Sequence, residues 1–192
     1  MLKLQGIAVS SGVTIGEALV LDSEGFRIPR RFVARSAVDT ELQRLSNAIA
    51  ESTAEIKKNR DAVRGELGEQ YAAIFDAHLA MLHDQRLQEE LTNAVRERNW
   101  WPEYAVSRTL RRYAKVFQKL DNHIAQRAHD IYDIEKSLLR NLLGQRRETL
   151  ASISEPVVIL AHNLTPSETA NLDRRFVKGF ATELGGPGSH TA

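Results

Sequence analysis

Between residues 34 and 144 the chain carries a single proline, Pro102, and very little glycine, while its apolar residues recur at helical spacing. In the stretch after Ala34 they fall at Val38, Leu42, Leu45, Ile49, Ile56, Val63 and Leu67. Gaps of three, four and seven put such residues on one side of a long helix, which must be covered by other helices. Asp39 or Ser36 can cap its start. The segments "EQYAAIFDAHLAMLHD" and "QRLQEELTNAVRERN" continue the pattern. From Glu103 to Leu143 the register runs through Leu110, Tyr113, Phe117, Leu120, Ile124, Ile131, Ile134, Leu138 and Leu142. Asp121-Asn122 predicts a kink there, Gly144 a helix end, and Trp100-Trp101-Pro102 a stapled helix start. The expected product is an antiparallel helical bundle.

The flanks read differently. "GIAVSSGVTIGEALVL" (6–21), "PVVILA" (156–161) and "VKGFATEL" (177–184) are short branched runs interrupted by glycine, as strands are. Between the last two, "LTPSETANLD" offers Thr165 as a cap, Pro166 at the first helical position and Glu168 three residues after the cap. Strand, helix, strand is the order of an α/β unit. The fold class is therefore α+β: a mostly helical bundle inserted between the first and later strands of an α/β domain. The expected divisions are 1–33, 34–145 and 146–192.

Composition narrows the chemistry. Lys+Arg 26 against Asp+Glu 25 leaves a net charge of +1, so no global field draws the chain to nucleic acid or an acidic membrane. No run approaches the ~20 apolar residues of a membrane span. With no cysteine, thiolate metal sites and disulfides are excluded. His78 and His83 are not at the spacing of a helical metal pair, nor are His123 and His129, so no metal site is expected. A cytoplasmic protein without membrane or nucleic-acid partners follows.

One turn stands out. Gly185-Gly186-Pro187-Gly188-Ser189-His190 follows a strand. Glycines allow close backbone approach, and free N–H groups in such a turn can receive an anion. An imidazole there is a nucleophile near neutral pH, so the local chemistry suits a phosphohistidine. The same composition also describes a flexible tail.

Five blocks bring a resemblance. "GIAVSSGVTIGEAL", "AIFDAHLAMLHD", "DIYDIEKSLLRNLLG", "NLTPSETANL" and "GGPGSHTA" occur in the order in which they stand in the N-terminal half of the enzyme I family. That family comprises the phosphoenolpyruvate–protein phosphotransferases of bacterial sugar uptake. The resemblance implies that the α/β part is a phosphohistidine swivelling domain, cut after its active-site turn, and that the bundle binds the phosphocarrier protein HPr. It implies that His190 attacks the phosphorus of phosphoenolpyruvate through Nε2 and passes the group to HPr. Gly185 and Gly186 shape the turn, Thr169 holds the ring, and Ser189 and Thr191 support the phosphate. His78, Leu79, Met81, Leu82, Asp84 and Leu87 map to the carrier helix, although leucines at that spacing, Leu79, Leu82 and Leu87, are more often core residues. The phosphoenolpyruvate and Mg²⁺ sites, and the homodimer contact, are implied to lie in a C-terminal barrel outside this chain. Gly188 replaces the usual threonine before the serine, removing one hydroxyl donor, and Pro187 alters the turn. Gln85 and Arg86 stand where acids are usual. Two other readings remain open: a helical docking module without chemistry, and a phosphohistidine domain of a pyruvate phosphate dikinase relative.

Overall fold

The computed structural model describes residues 4–21, 28–120, 127–144 and 153–186. The chain divides into two compact units, Met1–Glu24 with Arg147–Ala192, and Gly25–Arg146. The first division thus falls before Gly25 rather than after residue 33. The reason is local pairing. Val33 N donates to Asn99 O at 2.7 Å and Trp101 N to Arg31 O at 3.2 Å, an antiparallel bridge joins Phe32 to Trp100, and Val33 is buried. These contacts tie residues 31–33 to the helical unit.

That unit begins with a short 3-10 turn, Arg35–Ala37, and then α1, Val38–Leu67. Neither Ser36 nor Asp39 caps α1. Its N-cap is Ala37, which makes no side-chain cap bond, and Asp39 and Glu41 lie in the first turn, where acids oppose the positive helix end. The buried residues of α1 are Leu45, Ala48, Ser52, Ile56 and Asn59, whereas Leu67 is exposed. Gly68, at φ 98, breaks the chain into α2, Glu69–Leu82. Next come α3, Gln85–Arg96, and α4, Pro102–Phe117. After α4 comes α5, Ala128–Leu142. The region from Glu103 to Leu143, expected to be helical with a kink, holds two helices among the described residues, and Leu120 is exposed. The kink at Asp121-Asn122 and Ile124 lie outside the described residues. Gly144, at φ 64, ends α5 as expected, its N–H donating to Asn141 O.

Helix α1 packs along α2 and α5, and α4 along α5. Phe75, Leu82, Leu91, Leu110, Ile134, Leu138 and Leu139 are fully buried between them. Polar links cross this core. Ser52 Oγ accepts from Ser137 Oγ at 3.1 Å and from Asn141 Nδ2 at 2.9 Å. Glu135 Oε1 accepts from Ser107 Oγ at 2.8 Å and Arg111 Nε at 2.7 Å.

The other unit holds a parallel three-stranded sheet in the order β1-β2-β3: Glu17–Leu21, Val157–Ala161 and Val177–Thr182. The strand expected over 6–21 narrows to Glu17–Leu21, because a strand needs a paired neighbour and β2 offers five residues, from Glu17↔Val157 to Leu21↔Ala161. Between β2 and β3 lies α6, Pro166–Thr169, opened by the expected capping box of Thr165 and Glu168. Ile159, Ala161 and Leu164 form the core of one sheet face, with Leu21, Ile153, Val157, Leu172 and Val177 packed around them. Residues alternate across a strand, and the neighbours Val20 and Leu160, with Phe180, are exposed.

Candidate functional site

Gly185 and Gly186 follow β3, beyond the carboxyl end of the parallel sheet, where open α/β sheets place their ligands. Glu183 N donates to Ala161 O at 3.1 Å and Leu184 N to His162 O at 3.0 Å, which carries the ladder past β3. Thr182 Oγ1 donates to Leu184 O at 2.7 Å and folds the chain back. Gly185 then adopts φ 116, a conformation that side chains rarely permit. The requirement for glycine at this position is therefore conformational. At Gly186 a Cβ would meet nothing within 4 Å, so the space beside it is open. Ser189, His190 and Thr191 lie outside the described residues.

Thr169 ends α6. Its Oγ1 donates to Thr165 O at 3.1 Å and Pro166 O at 3.0 Å. The hydroxyl proton is thus committed to the backbone, and the oxygen lone pairs remain able to accept.

A second pair at the same sheet edge escaped the sequence reading. His162 Nδ1 lies 2.6 Å from Glu183 Oε2, both side chains being exposed. The only signal was a histidine just after β2 and an acid just before the glycine turn.

The carrier residues divide. His78 has no exposed surface, and Leu79, Leu82 and Leu87 are also buried. The placement of these four on a docking surface is corrected: they face the bundle core. His78 sits between two buried carboxylates of α5, with Nε2 at 3.5 Å from Asp130 Oδ1 and Nδ1 at 3.7 Å from Asp133 Oδ2, and Phe75 meets its ring edge-on. Met81 is half-buried and Asp84 is exposed. Asp84 also caps α3, its Oδ1 accepting from Leu87 N at 2.9 Å. The structure therefore leaves Met81 and Asp84 accessible and withdraws the other four.

Among the described residues no group of three or more histidine and acidic side chains is placed to hold a metal ion. Nor, among them, is any helix long and apolar enough to cross a membrane.

A bundle inserted into a parallel α/β sheet, with a glycine turn beyond its last described strand, defines a class of two-unit α+β chains. Residues 5–127 match the family described as PEP-utilising enzyme, N-terminal, and residues 153–192 match its mobile domain. The chain belongs to the family of PEP-utilising enzymes. It is 39% identical over 99% of its length to a phosphoenolpyruvate-protein phosphotransferase of Priestia megaterium, covering 33% of that protein. To the protein of the same name from Geobacillus stearothermophilus it is 40% identical over 98% of its length, covering 32%. Its fold is similar to a solution structure of Enzyme I (nEIt), with a TM-score of 0.78, 32% identity, and coverage of 98% of this chain and 76% of that one. The chain spans about a third of the length of the curated relatives it matches.

Proposed function

We propose that this chain is the N-terminal part of a phosphoenolpyruvate–protein phosphotransferase, with His190 as its phosphoryl carrier. The observation that supports this most is the pair of family matches, which run in order through both units and reach the glycine turn. His190 Nε2 attacks the phosphorus of phosphoenolpyruvate. An N–P bond forms, the bridging P–O bond breaks, and enolpyruvate leaves. A histidine of the carrier HPr then attacks the same phosphorus, and the imidazole of His190 is the leaving group.

The hydrogen bonds of Thr169 suit a role in this step. Its proton is held by backbone carbonyls, so Oγ1 can accept from the Nδ1–H of the imidazole. That bond selects the tautomer whose lone pair lies on Nε2, the attacking atom. The positive φ of Gly185 suits a close approach of backbone donors to the phosphoryl group, to which Ser189 and Thr191 add hydroxyl donors.

HPr docks on the accessible part of the α2–α3 corner, with Met81 as apolar contact and Asp84 as charge partner of a basic surface. Phosphoenolpyruvate, Mg²⁺ and the homodimer contact belong to a C-terminal domain beyond this chain. Mg²⁺ there would offset the charge of the substrate phosphate. The setting is the cytoplasm, and the pathway is sugar uptake.

Phosphorylated HPr incubated with this chain tests the reading by reverse transfer. The expected result is acid-labile label on the peptide containing His190, absent from His190→Ala. Label on any other histidine in its place would overturn the assignment.

A further inference from the structure

Both tryptophans of the chain stand side by side before α4, and arginines lie on them. The guanidinium of Arg30 is 5.0 Å from the ring centroid of Phe32 and 5.9 Å from that of Trp100. Arg98 lies 5.1 Å from the Trp100 ring, and Arg31 lies 5.7 Å from Trp101. The result is two stacks: Phe32, Arg30, Trp100 and Arg98 alternate in one, and Arg31 lies on Trp101 in the other. They are held from below by the pairing of residues 31–33 with 99–101, by Asn99 at φ 52, and by Tyr104, edge-on to Trp100 at 5.0 Å.

Arg44, which also stacks on Trp101, shows what a structural arginine looks like here. It bonds Glu41, Glu103 and the Leu142 carbonyl. Arg30, Arg31 and Arg98 are different: all three are exposed, and among the described residues none is in an ion pair, although the charge of Arg98 acts on Glu90. The packing of Trp100 on Tyr104, with Pro102 in the first turn, already staples the start of α4, so these exposed guanidiniums are not needed for that purpose.

Stacking covers the flat faces of a guanidinium and leaves its edge donors free, and those edges take a carboxylate side-on through two parallel bonds. Side chains already held in place lose less freedom on binding. Arginine and tryptophan are also the residues that most often dominate protein interfaces, and Phe32 adds an aromatic ring that is 59% exposed. The surrounding charges decide the kind of partner. Glu97, the C-cap of α3, is exposed between Arg96 and Arg98, and Glu89 and Glu90 lie further back on α3. A continuous run of phosphates would meet these carboxylates, whereas a few discrete carboxylates would not. The net charge of +1 supplies no long-range pull on a polyanion.

We propose that the patch formed by Arg30, Phe32, Arg98 and Trp100 docks an acidic segment of a partner protein, in which carboxylates flank an apolar side chain. The carboxylates bind the guanidiniums of Arg30 and Arg98, and the apolar side chain covers Phe32. The patch lies at the far end of α3 from Asp84, about 18 Å away by helix length, so this partner does not compete with one bound at the α2–α3 corner.

Because Trp100 lies in the patch and the one other tryptophan is its neighbour Trp101, tryptophan emission reports on it. The full chain is titrated with a synthetic peptide, Glu-Asp-Leu-Asp-Glu, with its charge-reversed counterpart, and with a short single-stranded oligonucleotide. The expected result is a saturable change in tryptophan emission with the acidic peptide only. The double variant Arg30→Ala, Arg98→Ala should weaken it tenfold or more while melting like the parent. Three results would overturn the proposal: no saturable change up to about 1 mM, the weak limit of specific docking; equal affinity in the double variant; or tighter binding of the oligonucleotide than of the peptide.

Discussion

Leu82→Ala separates the two readings of the α2 surface. Leu82 is the last residue of α2 and is 1% exposed. Truncating a leucine at so closed a site removes three carbon atoms from the core and leaves a cavity that helices tied through Ser52, Ser137 and Asn141 cannot fully close. Such substitutions cost about 2–5 kcal/mol. For a unit the size of Gly25–Arg146, a loss of ~3 kcal/mol lowers the melting temperature by roughly 10 °C. Far-UV circular dichroism, recorded on thermal and urea unfolding, measures it directly. Met81→Lys is the control. Met81 is only half-buried, so its replacement should cost about 1 kcal/mol or less while weakening HPr binding. If Leu82→Ala melts within about 1 °C of the parent, Leu82 is not a core residue and the burial argument fails.

Other outcomes follow from single contacts. Burial pushes the Glu135 carboxyl above its ordinary value of 4.5, against the Ser107 hydrogen bond and the Arg111 charge. Its folded value therefore exceeds the unfolded one, and its contribution to stability is present below 4.5 and lost as pH rises through the raised value. Glu135→Gln should match the parent in acid and exceed it at pH 7 in urea midpoint; the opposite trend would refute the sign. Gly185→Ala forces a side chain into φ 116 and should cost about 1 kcal/mol or more, whereas Gly186→Ala, with open space around its Cβ, should leave the melt unchanged. Thr169→Val should slow phosphoryl transfer without abolishing it, read as single-turnover rate; an unchanged rate would remove Thr169 from the site.

The elements of the chain were legible in its sequence where local signals are strong. Helical spacing announced the bundle, Thr165 and Glu168 their capping box, and Gly144 the end of α5. What stayed hidden depends on distant partners. Almost every side of α2 is apolar or small, so nothing local reveals that His78 turns inward; Asp130 and Asp133, on a later helix, decide that. Ser52 and Asn59 lie on the buried stripe of α1 although both are polar, and Ser52 is admitted by Ser137 and Asn141 of α5. The extent of β1 was set by the five residues of β2. The boundary at Gly25 followed from the pairing of Val33 with Asn99, a contact across two sequence segments that carry no shared pattern. In the α/β unit the glycine turn was visible as composition, and the structure adds why Gly185 must be glycine. The His162–Glu183 pair could be found only once β2 and β3 were placed side by side.

The central claim is that His190 carries the phosphoryl group, and its most direct test is covalent labelling of the complete protein from which this chain comes. That protein and its His190→Ala variant are incubated with phosphoenolpyruvate labelled in the phosphate, with Mg²⁺, and the acid-labile, base-stable label is counted. The account expects stoichiometric label in the parent, chased off by HPr, and none in the variant, with the helical unit equally folded in both. Undiminished label in His190→Ala would contradict it and assign the chemistry to another residue.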